Sequence, residues 1–531
     1  MRALLILLAC SVSLLAQPGA TFKIAGRVVR HADNHPVNRA RVSIAMVDHP
    51  DRQASCLTGD KGEFLFTGLS QAKYSLQVHD HRSAQYFQQS DNYWTGIAVG
   101  PDLDSEHIEF ALESPARIAG SVLDEVGDPV PGAELHLFAQ SLVNGRFQTL
   151  LNSQTNTGPD GDFRFTHLTP GTYYVGVTGR PWYAQTPHRA IRDLAAGLLR
   201  GAIAAAPETR SDLDLTYPIV FYDGRATADS ATPLKLEEGA IIEIHFTLHA
   251  VPALHIGVEG YQGQDGQQLN PQLSHVGPGG IPIPAAAAFD GSLFAVAPGS
   301  YIVSPTIFRP DQPFATLGSQ TVNLTSDSII QLSDMVQTSV KGKVTFDGAL
   351  PPSLSLSLGN LGNGTHVDGI VRPDGTFDLT SVLPGRYALQ LNAADVYVQS
   401  VKVEGGVFKT GVLTIVKGAA MELTISAAKG LTNLNGTVVK GTQAIAGAMV
   451  LLWPQDSNRA AFIPRDQSDS DGTFTLKAVP PGRYTLLAID NGRGLPYADP
   501  AVIAPYLQAG RVLDLPLNNE AKVEIEVQSR R

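Results

Sequence analysis

Cysteine is nearly missing from this 531-residue chain: Cys10 and Cys56 are the whole complement. If Cys10 leaves with an N-terminal leader, Cys56 stands alone, no intrachain disulfide can form, and stability has to come from packed cores. Its neighbours Ala54, Ser55, Leu57 and Thr58 read as a strand, which favours a buried, inert thiol over a catalytic one. Charge is sparse as well, at 17 % of residues against a typical ~25 %, so Ser, Thr, Asn, Gln and Gly must build much of the surface. The balance of 39 basic and 50 acidic side chains, net −11, excludes a nucleic-acid partner, because phosphate-backbone binders need a dense basic face. After the first twenty residues no apolar run approaches the roughly 20 needed to cross a bilayer, so no transmembrane span is expected.

Common catalytic signatures are missing too. None of the fourteen histidines is followed three places later by glutamate, and His-Glu-x-x-His does not occur, which removes the usual zinc-peptidase ligand sets. Gly-x-Ser-x-Gly and a phosphate-cradling loop ending in Lys-Ser or Lys-Thr are likewise absent. No cofactor, no metal site and no catalytic residue are expected.

What is present begins with a leader. Arg2, the apolar run Ala3 to Ala16 and the small or polar Gln17, Pro18, Gly19 and Ala20 form the three regions of a secretory signal over residues 1–20. Export follows, to the periplasm, the outer-membrane surface or the exterior. Leu7-Leu8-Ala9-Cys10 supports the alternative of a lipidated Cys10.

The 51 glycines and 35 prolines are not scattered; many fall in one repeated pattern. Asp160-Gly161-Asp162-Phe163 leads to Pro170-Gly171-Thr172-Tyr173, Asp374-Gly375-Thr376-Phe377 to Pro384-Gly385-Arg386-Tyr387, and Asp471-Gly472-Thr473-Phe474 to Pro481-Gly482-Arg483-Tyr484. A decayed copy has Asp290-Gly291 and Pro298-Gly299-Ser300-Tyr301, and the first copy keeps Lys61-Gly62-Glu63-Phe64 and Tyr74 with Gln71-Ala72 in place of Pro-Gly. Glycine after Asp or Lys supplies the positive φ of a tight hairpin turn, and Pro-Gly suits the two central positions of a type II turn. Phe163, Phe165, Leu168, Tyr173, Val175 and Val177 alternate onto one face, as a half-buried strand requires. A tyrosine two places after Pro-Gly resembles the tyrosine corner of sandwich folds. Upstream lie apolar-Gly-x-Val segments around Gly26, Gly120, Gly342 and Gly436.

Together with Pro129-Val130-Pro131-Gly132-Ala133, these motifs resemble the carboxypeptidase regulatory-like domain, also called transthyretin-like. The resemblance implies a prealbumin-type β-sandwich of the carbohydrate-binding-like fold group, without catalytic activity, in exported bacterial proteins. The expected fold is all-β, a tandem of antiparallel sandwiches with one short inserted helix. The expected units are 21–113, 114–248 with a helical insertion near 187–206, 249–336 in degenerate form, 337–428 and 429–531. The helix rests on Ile191, Leu194, Leu198 and Leu199 recurring opposite Arg189, Arg192 and Arg200.

Candidate ligand-binding residues are the aromatics set among amides, Tyr93 and Trp94 in the first unit and Trp182 and Tyr183 after the second. They suit stacking on sugar rings, although packing between domains is the favoured reading of such aromatics. His79 and His81, one residue apart, read as ordinary strand-end histidines rather than metal ligands, and Asp466, Asp469 and Asp471 as solvated turn residues rather than a calcium loop. The expected function is non-catalytic binding or scaffolding at the cell envelope, with a protein or glycan as partner; a carbohydrate-binding module is the alternative, and an unrecognised enzyme the least supported.

Overall fold

The computed structural model describes residues 21–80, 96–184, 212–259, 268–285, 293–309, 312–316, 320–331, 339–346, 348–361, 366–380, 382, 384–416, 418, 420–459, 462–517 and 520–530. The expected leader with Cys10, the helix expected near 187–206, His81, Tyr93, Trp94 and the turn expected at Asp290-Gly291 lie outside these residues.

The protein is all-β, a tandem of two-sheet sandwiches. The second shows the plan. Its opening strand Ala116–Asp124 is flanked antiparallel by Asp162–Leu168 and parallel by Ile241–Leu248. The facing sheet runs Arg146–Asn156, Glu134–Val143, Gly171–Thr178, with Val220–Phe221 and Leu234–Leu236 both on the last of these. Ile118, Val122, Leu135, Val175, Val177 and Ile244 fill the space between, none more than 1 % exposed. The same arrangement, an opening strand with an antiparallel neighbour and a parallel closing strand, recurs in the strands Phe22–Arg30, Leu254–Glu259, Ser339–Phe346 and Thr432–Lys440. Among the described residues each sandwich thus has one parallel ladder, with an isolated parallel bridge between Ile489 and Gln528 in the fifth, and the other strand pairs are antiparallel.

That ladder explains the glycine of the apolar-Gly-x-Val segments. Gly26, Gly120, Gly342 and Gly436 each sit opposite a phenylalanine, Phe64, Phe163, Phe377 and Phe474, on one side and against the closing strand on the other. A Cβ at any of them would come closer than 3.0 Å to a carbonyl oxygen of the closing strand, Ile108, Ile244, Leu423 and Val523 in turn. The missing side chain leaves room for the aromatic ring and the parallel strand together.

Two local expectations are corrected. The glycines Gly62, Gly161, Gly375 and Gly472 have φ of 74°, 72°, 85° and 78°, but they do not close hairpins. Asp162–Leu168 pairs with the opening strand and not with the preceding Arg146–Asn156, so the turn carries the chain from one sheet to the other. A carbonyl-to-amide bond anchors each corner: Gly161 O accepts from Val122 N at 2.9 Å, with equivalents at Gly62, Gly375 and Gly472. The second correction concerns Pro-Gly. Gly171 and Gly385 lie outside the left-handed region and Gly482 has φ 149°, so no type II turn forms. The left-handed residue stands three places before the proline, at His167 (59°) and Ala478 (54°), and at Gly68 (74°) in the first sandwich. The ladder slips at these points, a bulge that ends one sheet and aims the chain at the other.

The tyrosine rings are buried, and each hydroxyl donates to the carbonyl four residues back: Tyr74 to Ser70 at 3.1 Å, Tyr173 to Thr169 at 2.9 Å, Tyr301 to Ala297 and Tyr484 to Pro480 at 2.7 Å. Tyr387 is equally buried and meets the Asn360 side chain. Each such bond contributes about 1 kcal/mol and fixes the corner against the core.

Among the described residues the α-helix is Pro500–Leu507, which the sequence analysis did not anticipate. Asp499 caps it by accepting from Ala501 N at 2.9 Å, Pro500 opens it, and Ile503 and Tyr506 bury against Met449, Leu451 and Leu487. No helix among the described residues is long and apolar enough to cross a membrane.

Candidate binding groove

The sandwiches follow one another in sequence, yet the first meets the last. Lys73 Nζ pairs with the Asp469 carboxylate and donates to Thr473 Oγ1 at 2.7 Å, and Gly96 N donates to Asp469 Oδ1 at 2.7 Å. Ser470 completes the seam, its N donating to Gly96 O at 2.9 Å and its Oγ accepting from Ala98 N at 2.8 Å. Asp469, read as a solvated turn position, is therefore structural at this junction, while Asp466 and Asp471 bond within the fifth sandwich. Asp466 accepts from Thr475 N at 2.7 Å, and Asp471 from the Thr473 amide and hydroxyl. Burial pushes the Asp469 carboxyl above its ordinary range, with Lys73 and the Gly96 amide pulling the other way; burial also raises Asp466.

Other joins are polar too. His31 meets Glu238 at 2.8 Å between the first and second sandwiches. His255, buried, lies 3.1 Å from Asp214 and 4.0 Å from Asp327 where the second leads into the third. Ala498 N donates to Gly145 O, linking the fifth to the second, and Leu431 N donates to Asp395 Oδ1, linking the fifth to the fourth.

Where the second, fourth and fifth sandwiches converge they leave two adjoining cavities of about 590 and 420 Å³, which share Asn144, Gln390 and Phe462. Asn144, at a hairpin tip with φ 49°, and Gln390, on the strand Gly385–Asn392, both present exposed amides. Phe462 is 42 % exposed, a high value for so large an apolar ring. Arg459 lies over the Tyr397 ring, 5.6 Å from its centroid, and donates to Pro481 O at 2.7 Å. Arg146 lines the smaller cavity; burial and the like charge of Arg386 both lower its pKa.

Of the sequence-predicted aromatics, Tyr93 and Trp94 lie outside the described residues, and Trp182 and Tyr183 do not line these cavities. Trp182 is 81 % exposed on the turn after Gly171–Thr178, with the Tyr183 ring edge-on at 5.7 Å. Tyr183 Oη donates to Glu125 Oε1 at 3.2 Å, and burial raises the hydroxyl pKa of both Tyr183 and its neighbour Tyr217. Cys56 is buried opposite Val42, and His79 is exposed at its strand end. Among the described residues no group of three or more His, Cys, Asp or Glu is placed to hold a metal ion. The groove escaped the sequence analysis because its residues come from three units at no fixed spacing; the one available signal was an aromatic beside amide-rich strands.

Residues 117–192 match the family model of the carboxypeptidase regulatory-like domain. No curated protein matches the chain. Similar solved structures include GBS52, the minor pilin of Streptococcus agalactiae, at 10 % identity over 46 % of this chain and 99 % of that one, with TM-score 0.23. The shaft pilin SpaA of Lactobacillus rhamnosus GG follows at 12 % identity, 46 % and 100 % coverage and TM-score 0.20, and BcpA, the major pilin subunit of Bacillus cereus, at 11 %, 78 % and 99 % and 0.14.

Proposed function

We propose that this chain, which carries a carboxypeptidase regulatory-like domain over 117–192, is an exported, non-catalytic binding platform of the cell envelope, divided into units 21–113, 114–248, 249–336, 337–428 and 429–531. The observation that carries the reading is the seam between first and last sandwiches, where Lys73, Gly96, Asp469 and Ser470 hold together parts of the chain some four hundred residues apart. Sandwiches held at both ends of the chain present loops and clefts in fixed relative positions, which lowers the ordering cost of binding a large partner. Export removes residues 1–20 under this reading. Cell fractionation with mass spectrometry of the mature N-terminus tests it. The expected result is a chain in the envelope or medium that starts near Thr21; an intact Met1 in the cytosol contradicts it, and a chain that starts at a lipidated Cys10 shows export with anchoring in place of cleavage near Thr21.

A second reading, sugar binding on the outside of the second sandwich, is favoured by Trp182, whose ring is almost wholly open to solvent. Trp182→Ala would then abolish binding to whichever glycan an array identifies while leaving the melting temperature in place. Unchanged binding counts against it.

A further inference from the structure

The third sandwich docks on the second through a small apolar contact. The turn Pro278–Gly280 lies against the strand Arg146–Asn156, where a Cβ on Gly279 would stand 3.1 Å from that of Thr149. Next to it Ile281 and Ile283 pack with Phe138, Phe221 and Tyr174 of the second sandwich. The covalent link between the two is held separately: Val251–Pro252 pairs with Leu215–Thr216, and Ala253 N donates to Asp214 O at 2.9 Å. Two histidines meet at the contact. His136 precedes Phe138 by two places on Glu134–Val143 and so shares its face, and His275 stands opposite Ile283 in the ladder between Gln268–Val276 and Pro282–Pro284. Both are buried, His136 completely. Little around them can hold a proton. His136 Nδ1 meets the Gln154 amide at 2.8 Å, Nε2 makes no hydrogen bond, Gly176 on the neighbouring strand brings no charge, and Glu134, 3.9 Å from Nε2, is itself exposed. His275 lies between Ile283 and Tyr301, its ring 4.8 Å from the tyrosine's. His255 at the same junction differs, because Asp214 and Asp327 flank it and answer a proton there.

We propose that this contact is an acid-operated latch: protonation of His136 and His275 releases the third sandwich from the face of the second, with both still folded and still joined through Val251–Pro252. In the docked form a proton on either ring is a charge buried beside an apolar seam; in the released form the same ring meets water. Burial lowers both histidines from 6.5 to about 4, and release returns them toward the ordinary value. Between pH 7.5 and 4.5 each then moves the docking equilibrium toward release by up to about seventyfold. Release also uncovers Phe138, Phe221 and Ile283, so an apolar patch hidden at neutral pH becomes available in acid. The latch goes beyond the platform reading, since it acts between these two sandwiches wherever the chain resides.

Spin-label distance measurement on the whole mature chain tests this, with labels on Asn152→Cys and Thr325→Cys, exposed positions of the second and third sandwiches, in a Cys56→Ser background. The expected result is one narrow distance distribution at pH 7.5 and a broader, longer one at pH 4.5, reversed on return to pH 7.5, while far-ultraviolet circular dichroism stays that of the folded chain. The ratio of released to docked molecules should rise toward a hundredfold per pH unit lost, the signature of two protons. His136→Gln and His275→Gln each reduce that slope to tenfold, and the double variant keeps the narrow distribution at both pH values. An unchanged wild-type distribution at pH 4.5, a change that comes only with loss of the folded dichroism, or an undiminished response in the double variant overturns the proposal. If the glutamine variants fail to fold, the wild-type slope decides: near a hundredfold supports the latch, and below tenfold overturns it.

Discussion

Gly120→Val will unfold the second sandwich. The substituted Cβ would fall inside the Ile244 carbonyl, and backbone cannot give way as the end of a flexible side chain can. Either the closing strand Ile241–Leu248 leaves its ladder with Ala116–Asp124, or Phe163 leaves the ring position it holds opposite the glycine. The first choice exposes Ile244, Phe246 and Leu248, and the second opens the core beside Phe165. At about 25 cal/mol per Å² of apolar surface, either costs several kcal/mol, on the order of a whole domain's margin of stability. Gly127, in an open turn with φ 92° and nothing near its missing Cβ, is the control. Gly127→Ala bears only the left-handed strain, about 1 kcal/mol. Hydrogen exchange resolved by peptide checks both: Gly120→Val removes protection across 116–124, 162–168 and 241–248, and Gly127→Ala retains it. Equal protection in the two variants would mean that the parallel strand does not pack as described.

Acidification will weaken the join between the second and third sandwiches before it acts on the rest. His136, on Glu134–Val143, and His275, on Gln268–Val276, are both buried, and burial lowers each to about 4, with His136 further disfavouring charge on His275. Their surroundings offer little to hold a proton. His136 Nδ1 meets the Gln154 amide at 2.8 Å with Glu134 3.9 Å from Nε2, and the His275 ring lies 4.8 Å from that of Tyr301. The sign follows from proton counting. Above the ordinary histidine value of 6.5 both states are neutral and nothing is lost; between 6.5 and about 4 the unfolded chain takes up protons that the folded chain refuses. Stability therefore falls as pH falls through that window, by up to about 3 kcal/mol for each histidine. Urea unfolding at pH 7.5 and pH 4.5 measures the loss, and the double variant His136→Gln, His275→Gln isolates it from the general effect of protonating carboxylates. The variant should lose markedly less stability than the wild type over the same interval. An identical loss would show that neither histidine is held neutral by burial.

The sequence was most readable where one short segment contains both partners of an interaction. A tyrosine and the carbonyl four residues before it share a single turn, so the spacing in Thr169 to Tyr173 and Pro480 to Tyr484 already expresses the bond. Alternation of Phe163, Phe165, Tyr173, Val175 and Val177 is similarly local, and all five are buried. The opening glycines were visible as a repeated word, but their reason was not, because the strand that forbids a side chain at Gly26 arrives at Ile108 and the one at Gly120 arrives at Ile244. The bulges at His167 and Ala478 escaped for a different cause: neither residue type announces a left-handed φ, so Pro-Gly attracted the turn that belongs upstream. Asp499-Pro500 did carry a capping signal, but an eight-residue helix leaves too short a period to stand out from alternating strands. The groove lay furthest from view. Asn144, Gln390 and Phe462 belong to three units, and only the docking of those units makes them neighbours.

The seam between the first and fifth sandwiches is what would turn a string of domains into a platform. Zero-length carbodiimide coupling joins only a lysine and a carboxylate already in contact, which makes it the most direct measurement. Digestion and mass spectrometry should recover a Lys73–Asp469 isopeptide in monomeric protein, beside the Lys341–Asp378 product expected from a 3.3 Å pair within the fourth sandwich. Recovery of Lys341–Asp378 without any Lys73–Asp469 would contradict the seam.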